Sequence, residues 1–189
     1  MFTYQEVTLR PLEMEDIDTF YKWDADIELN ILSGWTPRRS KVRAQQFYEQ
    51  HILEPPKNLE IFSILVERRL IGYLQLALID REEKRADVGI VIGERQMWGR
   101  GIGSTALRIL LDYAFTVVGL EKVSAGVYGF NTRSLRLMEH VGFQKEGMLR
   151  QHEIHNGVRQ NLHVFGMLKS EFYQRYETLF RLPDEKKQD

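Results

Sequence analysis

Three glycines spaced by two, Gly99, Gly101 and Gly103, stand between a β-rich run, Arg85–Ile92, and a long amphipathic stretch that begins at Ile102. That placement constrains the fold more than any other feature of the chain. Glycine lets a backbone approach an anion without a Cβ in the way, and the first amides of a helix have no partner within it. A strand that ends in such a turn therefore presents a cradle of N–H groups to a diphosphate at the start of the next helix. Arg100 adds a positive charge and Ser104 a hydroxyl in the first turn. Taken alone the string also suits a turn that merely reverses the chain; its position before an amphipathic helix favours the anion site. It is not a dinucleotide turn, which needs Gly-x-Gly-x-x-Gly after the first strand of a βαβ unit, and no Gly-Lys-Ser/Thr of a Walker loop occurs.

Periodicity supplies the surroundings. Val7 and Leu9 alternate with Thr8 and Arg10 until Pro11, so Glu6–Arg10 reads as a first strand. Met14, Ile17, Phe20 and Tyr21 repeat at helical spacing over Met14–Asp26, whereas Asn30–Pro37, with Gly34, Trp35 and Pro37, reads as a loop. A second helix follows over Ser40–Leu53, and Pro55 and Pro56 end it. Glu60–Glu67, Leu70–Ile79 and Arg85–Ile92 are three antiparallel-type strands. Ile102, Ala106, Ile109, Leu110, Tyr113, Ala114 and Val117 share one face of the central helix, which Gly119 closes. Lys122–Tyr128 reads as a buried strand and Thr132–Val141 as a helix. Phe143–His155 and Arg159–Leu168 form a hairpin through Asn156-Gly157, a dipeptide suited to the left-handed positions of a tight turn. The order predicts one α/β domain over residues 1–182, with a mixed, mostly antiparallel sheet of about seven strands flanked by helices, and a flexible tail over 183–189.

Composition removes several function classes. A formal charge of −1 gives no global footprint for nucleic acid. With no cysteine, disulfides, thiolate metal sites and cysteine-bound acyl intermediates are excluded by residue type. Neither a secretory leader in Met1–Leu12 nor a membrane-length apolar run is present, so a cytoplasmic location without membrane association is expected. His152, His155 and His163 lie in the last hairpin, but alternation sends His152 to the opposite face from Glu153 and no acidic cluster joins them, so no metal is expected.

The string Gln96-Met97-Trp98-Gly99-Arg100-Gly101-Ile102-Gly103-Ser104 resembles the coenzyme loop of the GNAT superfamily of N-acetyltransferases, Gln/Arg-x-x-Gly-x-Gly/Ala at the head of the central helix. Two registers fit. Gln96 with Gly99 and Gly101 matches the letters, while Gly101 with Gly103 starts the helix where its periodicity begins; the second is adopted here, with Trp98 at the first position. The resemblance runs from Leu9-Arg10-Pro11-Leu12 through Gly142-Phe143 and Glu146-Gly147 to the last hairpin, and Trp-Gly-Arg-Gly is familiar in the branch that resembles ribosomal-protein N-terminal (alanine/serine) acetyltransferases. It implies a GNAT-type domain whose sheet splays between the fourth and fifth strands, with acetyl-CoA as co-substrate. Ile90, Val91 and Ile92 would hold the pantetheine arm, and Trp98, Gly99, Arg100, Gly101, Ile102, Gly103 and Ser104 the pyrophosphate.

Asn131 heads the next helix and is a preferred N-cap by residue type. The resemblance further implies that its side chain contacts the coenzyme and that Ser134 faces the thioester sulfur. Many relatives, spermidine acetyltransferases included, carry a tyrosine acid four residues before Gly-Phe; here Met138 stands there and has no proton to give. Ser134 is therefore the expected donor to the thiolate, with Tyr128 in reserve. Glu153 is the expected base, the alternative being a cross-strand ion pair with Arg159. Direct attack in a ternary complex follows. A protein N-terminal α-amine is the first expected acceptor, because Met138 in the place of that tyrosine weakens the polyamine reading; a polyamine or an amino sugar is the second, and a non-catalytic acetyl-CoA sensor is the reading from another class. Leu32-Ser33-Gly34-Trp35-Thr36 before Arg38, Arg39, Lys41 and Arg43 is expected near the acceptor, and Phe172, Tyr173, Tyr176 and Phe180 are read as packing or as a homodimer contact.

Overall fold

The computed structural model describes residues 1–34 and 40–180. The chain runs β1 (Phe2–Tyr4), β2 (Val7–Pro11), a 3₁₀ turn at Met14–Asp16, then α1 (Ile17–Asp24), α2 (Ile27–Ser33) and α3 (Lys41–Leu53). The hairpin strands β3 (Leu59–Val66), β4 (Arg69–Asp80) and β5 (Arg85–Ile92) follow. Next come α4 (Ile102–Thr116), β6 (Lys122–Tyr128), α5 (Thr132–Val141), β7 (Gln144–His155), β8 (Val158–Leu168) and α6 (Lys169–Arg175). The eight strands form one sheet in the order β1-β2-β3-β4-β5-β6-β8-β7. Every pairing is antiparallel except β5 with β6.

Two apolar clusters, one per face, hold the sheet between helices. The larger packs α4 residues such as Ala106, Leu107 and Leu110 with Leu74, Leu76, Val123, Phe165 and Phe172, all essentially inaccessible. The smaller gathers Phe20, Trp23 and Tyr48 from α1 and α3 over Tyr73 of β4. Phe20 stacks on Tyr48 at 5.1 Å and meets Trp23 and Tyr73 edge-on. Full burial of each such ring contributes roughly 1.5–3 kcal/mol. Phe172 thus belongs to the core, which settles the α6 aromatics as packing groups at that position.

Several expected boundaries move. Phe2–Tyr4 adds a strand, too short to show a pattern of its own, by pairing with Val7–Leu9 across the Gln5 turn, so the sheet has eight strands rather than about seven. The first helix is narrower than Met14–Asp26 because its first turn is 3₁₀ and Asp26 instead caps α2, accepting from the Leu29 amide at 3.1 Å. The expected loop at Asn30–Pro37 is therefore helical as far as Ser33, with Gly34 left-handed just beyond it. Val117 is exposed because α4 ends one residue earlier. Trp35, Thr36, Pro37, Arg38, Arg39 and the expected tail at 183–189 lie outside the described residues. Among those described, no helix is long and apolar enough to cross a membrane.

Candidate active site

The parallel pair β5–β6 is in register only over Arg85–Asp87 with Lys122–Ser124. Beyond that point the strands part, leaving β5 bonded to β4 along one edge while its other edge faces a gap. Ile90, Val91 and Ile92 line one wall of a cavity of about 660 Å³ that opens from this gap. The start of α4, one face of α5, and Leu29, Leu32 and Ser33 of α2 complete it.

Gly99 and Gly101 have φ of 75° and 80°, left-handed values that a β-carbon disfavours. Together they turn the chain from β5 into α4, whose N-terminus has no side-chain cap. The first intrahelical backbone bond is from Thr105 N–H to the Gly101 carbonyl, so the amides of Ile102, Gly103 and Ser104 remain directed out of the helix start. Ser104 Oγ donates to the Gly101 carbonyl at 2.7 Å and tightens that turn. The indole N–H of Trp98 donates to the Ile92 carbonyl at 2.7 Å, tying the loop to the strand end. The Arg133 guanidinium lies 4.3 Å over the same ring. Arg100 is exposed and turns to Met97 Sδ (3.5 Å), outside the cavity wall. Unpartnered amides, a free strand edge and an open cavity are what a diphosphate on a long, amide-bearing arm requires.

Asn131 serves twice. Its Oδ1 accepts from the Ser134 amide at 3.1 Å, the expected N-cap, and its Nδ2 donates to the Leu32 carbonyl at 3.0 Å, which ties α5 to the end of α2. Both Asn131 and Ser134 line the cavity.

Glu153 sits beside this cavity, outside its wall. Its Oε2 accepts from the Tyr128 hydroxyl at 2.7 Å. Burial, then this bond and the carboxylate charge, push the Tyr128 phenol up to about 12. The Tyr128 ring stacks on Phe130 (5.3 Å, 8° between planes), and His155 packs against both. Among the described residues no ion pair neutralises Glu153. Arg159 instead donates to the Gln151 carbonyl at 3.3 Å. The Asn156-Gly157 turn pairs His155 with Val158 and Ile154 with Arg159, so Glu153 stands opposite Gln160, and a bulge at Arg150–His152 follows beyond that pair. Simple alternation does not hold through this bulge, although His152 is exposed and Glu153 half-buried as expected. No group of three or more metal-ligating side chains converges among the described residues.

The expected residues Ile90, Val91, Ile92, Trp98, Gly99, Gly101, Ile102, Gly103, Ser104, Asn131 and Ser134 thus meet in one cavity. Glu153 reaches it through Tyr128, whose ring lies against Gly34, the neighbour of Ser33. Sequence reasoning set Leu32 and Ser33 near the acceptor but in a loop, and it missed Leu29 of α2 and the basic side of α5. Arg133, Arg136, Leu137 and His140 line the cavity at spacings of three and four, a helical period visible in the string itself.

Comparison with known proteins places this geometry. A family model described as the acetyltransferase (GNAT) domain matches residues 6–144. The chain is 35% identical to an uncharacterized N-acetyltransferase, p20, of Bacillus licheniformis, covering 89% of this chain and 96% of that protein. It is 28% identical to the spermidine N(1)-acetyltransferase of Vibrio cholerae, covering 91% and 98%. The crystal structure of spermidine N-acetyltransferase from Vibrio cholerae in complex with CoA and spermine superposes with a TM-score of 0.82 at 26% identity, covering 89% of this chain and 98% of that one.

Proposed function

The chain belongs to the GNAT acetyltransferase family and is an acetyl-CoA-dependent N-acetyltransferase; on that premise we propose that its acceptor is a primary amine of the polyamine class. One observation carries this choice. Glu153, with no counter-cation among the described residues, is set beside the rings of Tyr128, Phe130 and His155, and Phe130 is one-third exposed. A carboxylate beside aromatic faces attracts an alkylammonium through both charge and ring quadrupole. The full-length similarity to spermidine acetyltransferases supports the same class and moves it ahead of the protein N-terminal α-amine expected from the sequence. The amino sugar has no comparable support, and a non-catalytic sensor is at odds with the family assignment.

In this reading the diphosphate rests on the amides of Ile102–Ser104, the arm lies along Ile90–Ile92, and the thioester reaches the Asn131–Ser134 end of α5. An alkylamine with a pKa near 10.4 arrives protonated. Glu153 takes one proton, the nitrogen attacks the thioester carbonyl, and the C–S bond breaks as the amide forms. The second nitrogen proton ends on sulfur, so one proton is released overall. Ser134 donates a hydrogen bond to the departing thiolate, which needs little more, given a thiol pKa of about 8.5.

Turnover of acetyl-CoA with spermidine and with a short peptide beginning in alanine tests the acceptor, and Glu153→Gln and Ser134→Ala test the roles. Spermidine is expected to be the better acceptor, with both variants slowed at least roughly tenfold. Faster acetylation of the peptide would reverse the acceptor assignment, and wild-type rates in both variants would remove the residue roles.

A further inference from the structure

Along α5 the cavity has a wall of one sign. Arg133, Arg136 and His140 line it, and no aspartate or glutamate does so among the described residues. Arg133 is committed to the Trp98 ring at 4.3 Å, near the end of β5. Leu137 abuts the first turn of α4, where a β-carbon on Gly103 would fall 3.4 Å from its side chain. Arg136 and His140, on the same face as Leu137, therefore flank that turn, with His140 roughly 10 Å further along α5 than Arg133. Both are exposed, and among the described residues neither side chain has a hydrogen bond or ion pair.

Coenzyme A carries a diphosphate and, separately, a phosphomonoester on its ribose. The amides of Ile102–Ser104 suit the diphosphate, which leaves the monoester to a different partner. A guanidinium pairs with a terminal phosphate through two parallel N–H bonds, and Arg136, which packs on no ring among the described residues, is free to swing its fork to that group, whereas Arg133 is held over Trp98 near the end of β5. We infer that Arg136, assisted by His140, binds the ribose phosphomonoester of the coenzyme, so that the enzyme distinguishes CoA from its 3′-dephospho form. The inference rests on acetyl-CoA occupying this cavity.

Calorimetric titration of the folded wild type and Arg136→Ala with CoA and with dephospho-CoA tests it. Wild type is expected to bind dephospho-CoA at least about tenfold more weakly, as loss of a charge-assisted pair implies. Arg136→Ala is expected to bind CoA at the dephospho level while its affinity for dephospho-CoA stays unchanged. Equal wild-type affinity for the two compounds overturns the inference, as does an Arg136→Ala variant that still discriminates or that weakens both equally. Absence of heat with either compound on folded wild type defeats the underlying cavity reading instead.

Discussion

The Tyr128 hydroxyl donates to Glu153 Oε2 at 2.7 Å, joining the end of β6 to β7 over the intervening strand β8. With the phenol pushed up to about 12, it remains a protonated donor at any working pH and orients the carboxylate without competing for its proton. Tyr128→Phe keeps the ring stack on Phe130 and removes only this bond. Steady-state kinetics should show kcat reduced by about tenfold or more, since a hydrogen bond to a charged group contributes ~1.5–3 kcal/mol. The KM for acetyl-CoA should hold. An unchanged kcat would remove the positioning role.

Two tyrosines make alkaline stability predictable. Burial and a bond to Glu60 (2.8 Å) push Tyr113 up to about 12, as burial and Glu153 do Tyr128, against an ordinary value of 10.0. Between these values the unfolded chain has released protons that the folded chain retains. Stability is then whole below pH 10 and declines as pH rises toward 12. Urea melts across that window should show the decline, and Tyr113→Phe should flatten it. A decline of the same steepness in that variant would show that the phenol is not its source.

Asp112 is fully buried on α4 and serves as the anchor of the C-terminal segment. Its carboxylate accepts from Thr116 Oγ1 (2.9 Å), Tyr173 Oη (3.0 Å), Thr178 Oγ1 (3.0 Å) and the Leu179 amide. Asp112→Ala would orphan these donors and should cost about 3 kcal/mol, read as a lower urea midpoint at unchanged slope. Thr178→Val should cost about 1–2 kcal/mol, because the donor to Asp112 is lost together with the acceptor of the Phe180 amide, while the other bonds to Asp112 persist. A midpoint within error of wild type in Asp112→Ala would show that the segment is held by its aromatic contacts instead.

What could be read from the chain were features whose cause is local. Gly99 and Gly101 announced a turn before α4, which is left-handed at both, and Asn156-Gly157, at φ 50° and 76°, announced the β7–β8 hairpin. Elements that exist through partners were not legible. Phe2–Tyr4 is a strand only because β2 lies beside it, and α2 depends on the Asp26 cap and on Asn131 holding the Leu32 carbonyl. The bulge before Glu153 leaves no trace in hydropathy, because β7 is an exposed edge with no buried face to enforce alternation. Asn131 and Ser134, singled out through the family resemblance, both line the cavity. Arg136 and His140 share a helical period, but charged positions on a helix ordinarily form a solvated face, so only the packing of α5 against α4 sets them at the cavity.

Gly34 links the backbone of α2 to the Tyr128–Glu153 pair and provides the sharpest contrast between strain and function. It is left-handed at φ 76°, and a β-carbon there would fall 2.5 Å from both Cε2 and Oη of Tyr128. Gly119 has nearly the same backbone, φ 79°, with no atom within 4 Å of such a carbon. Alanine at either position carries the left-handed penalty of ~1 kcal/mol, so both variants should melt earlier, Gly34→Ala by more because of its clash. Only Gly34→Ala must also displace the Tyr128 ring, and with it the donor to Glu153. Its kcat should fall at least as far as that of Tyr128→Phe, while Gly119→Ala keeps the wild-type value. Equal kcat in the two alanine variants, measured well below both melting temperatures, would mean that the Tyr128 ring moves aside without disturbing Glu153.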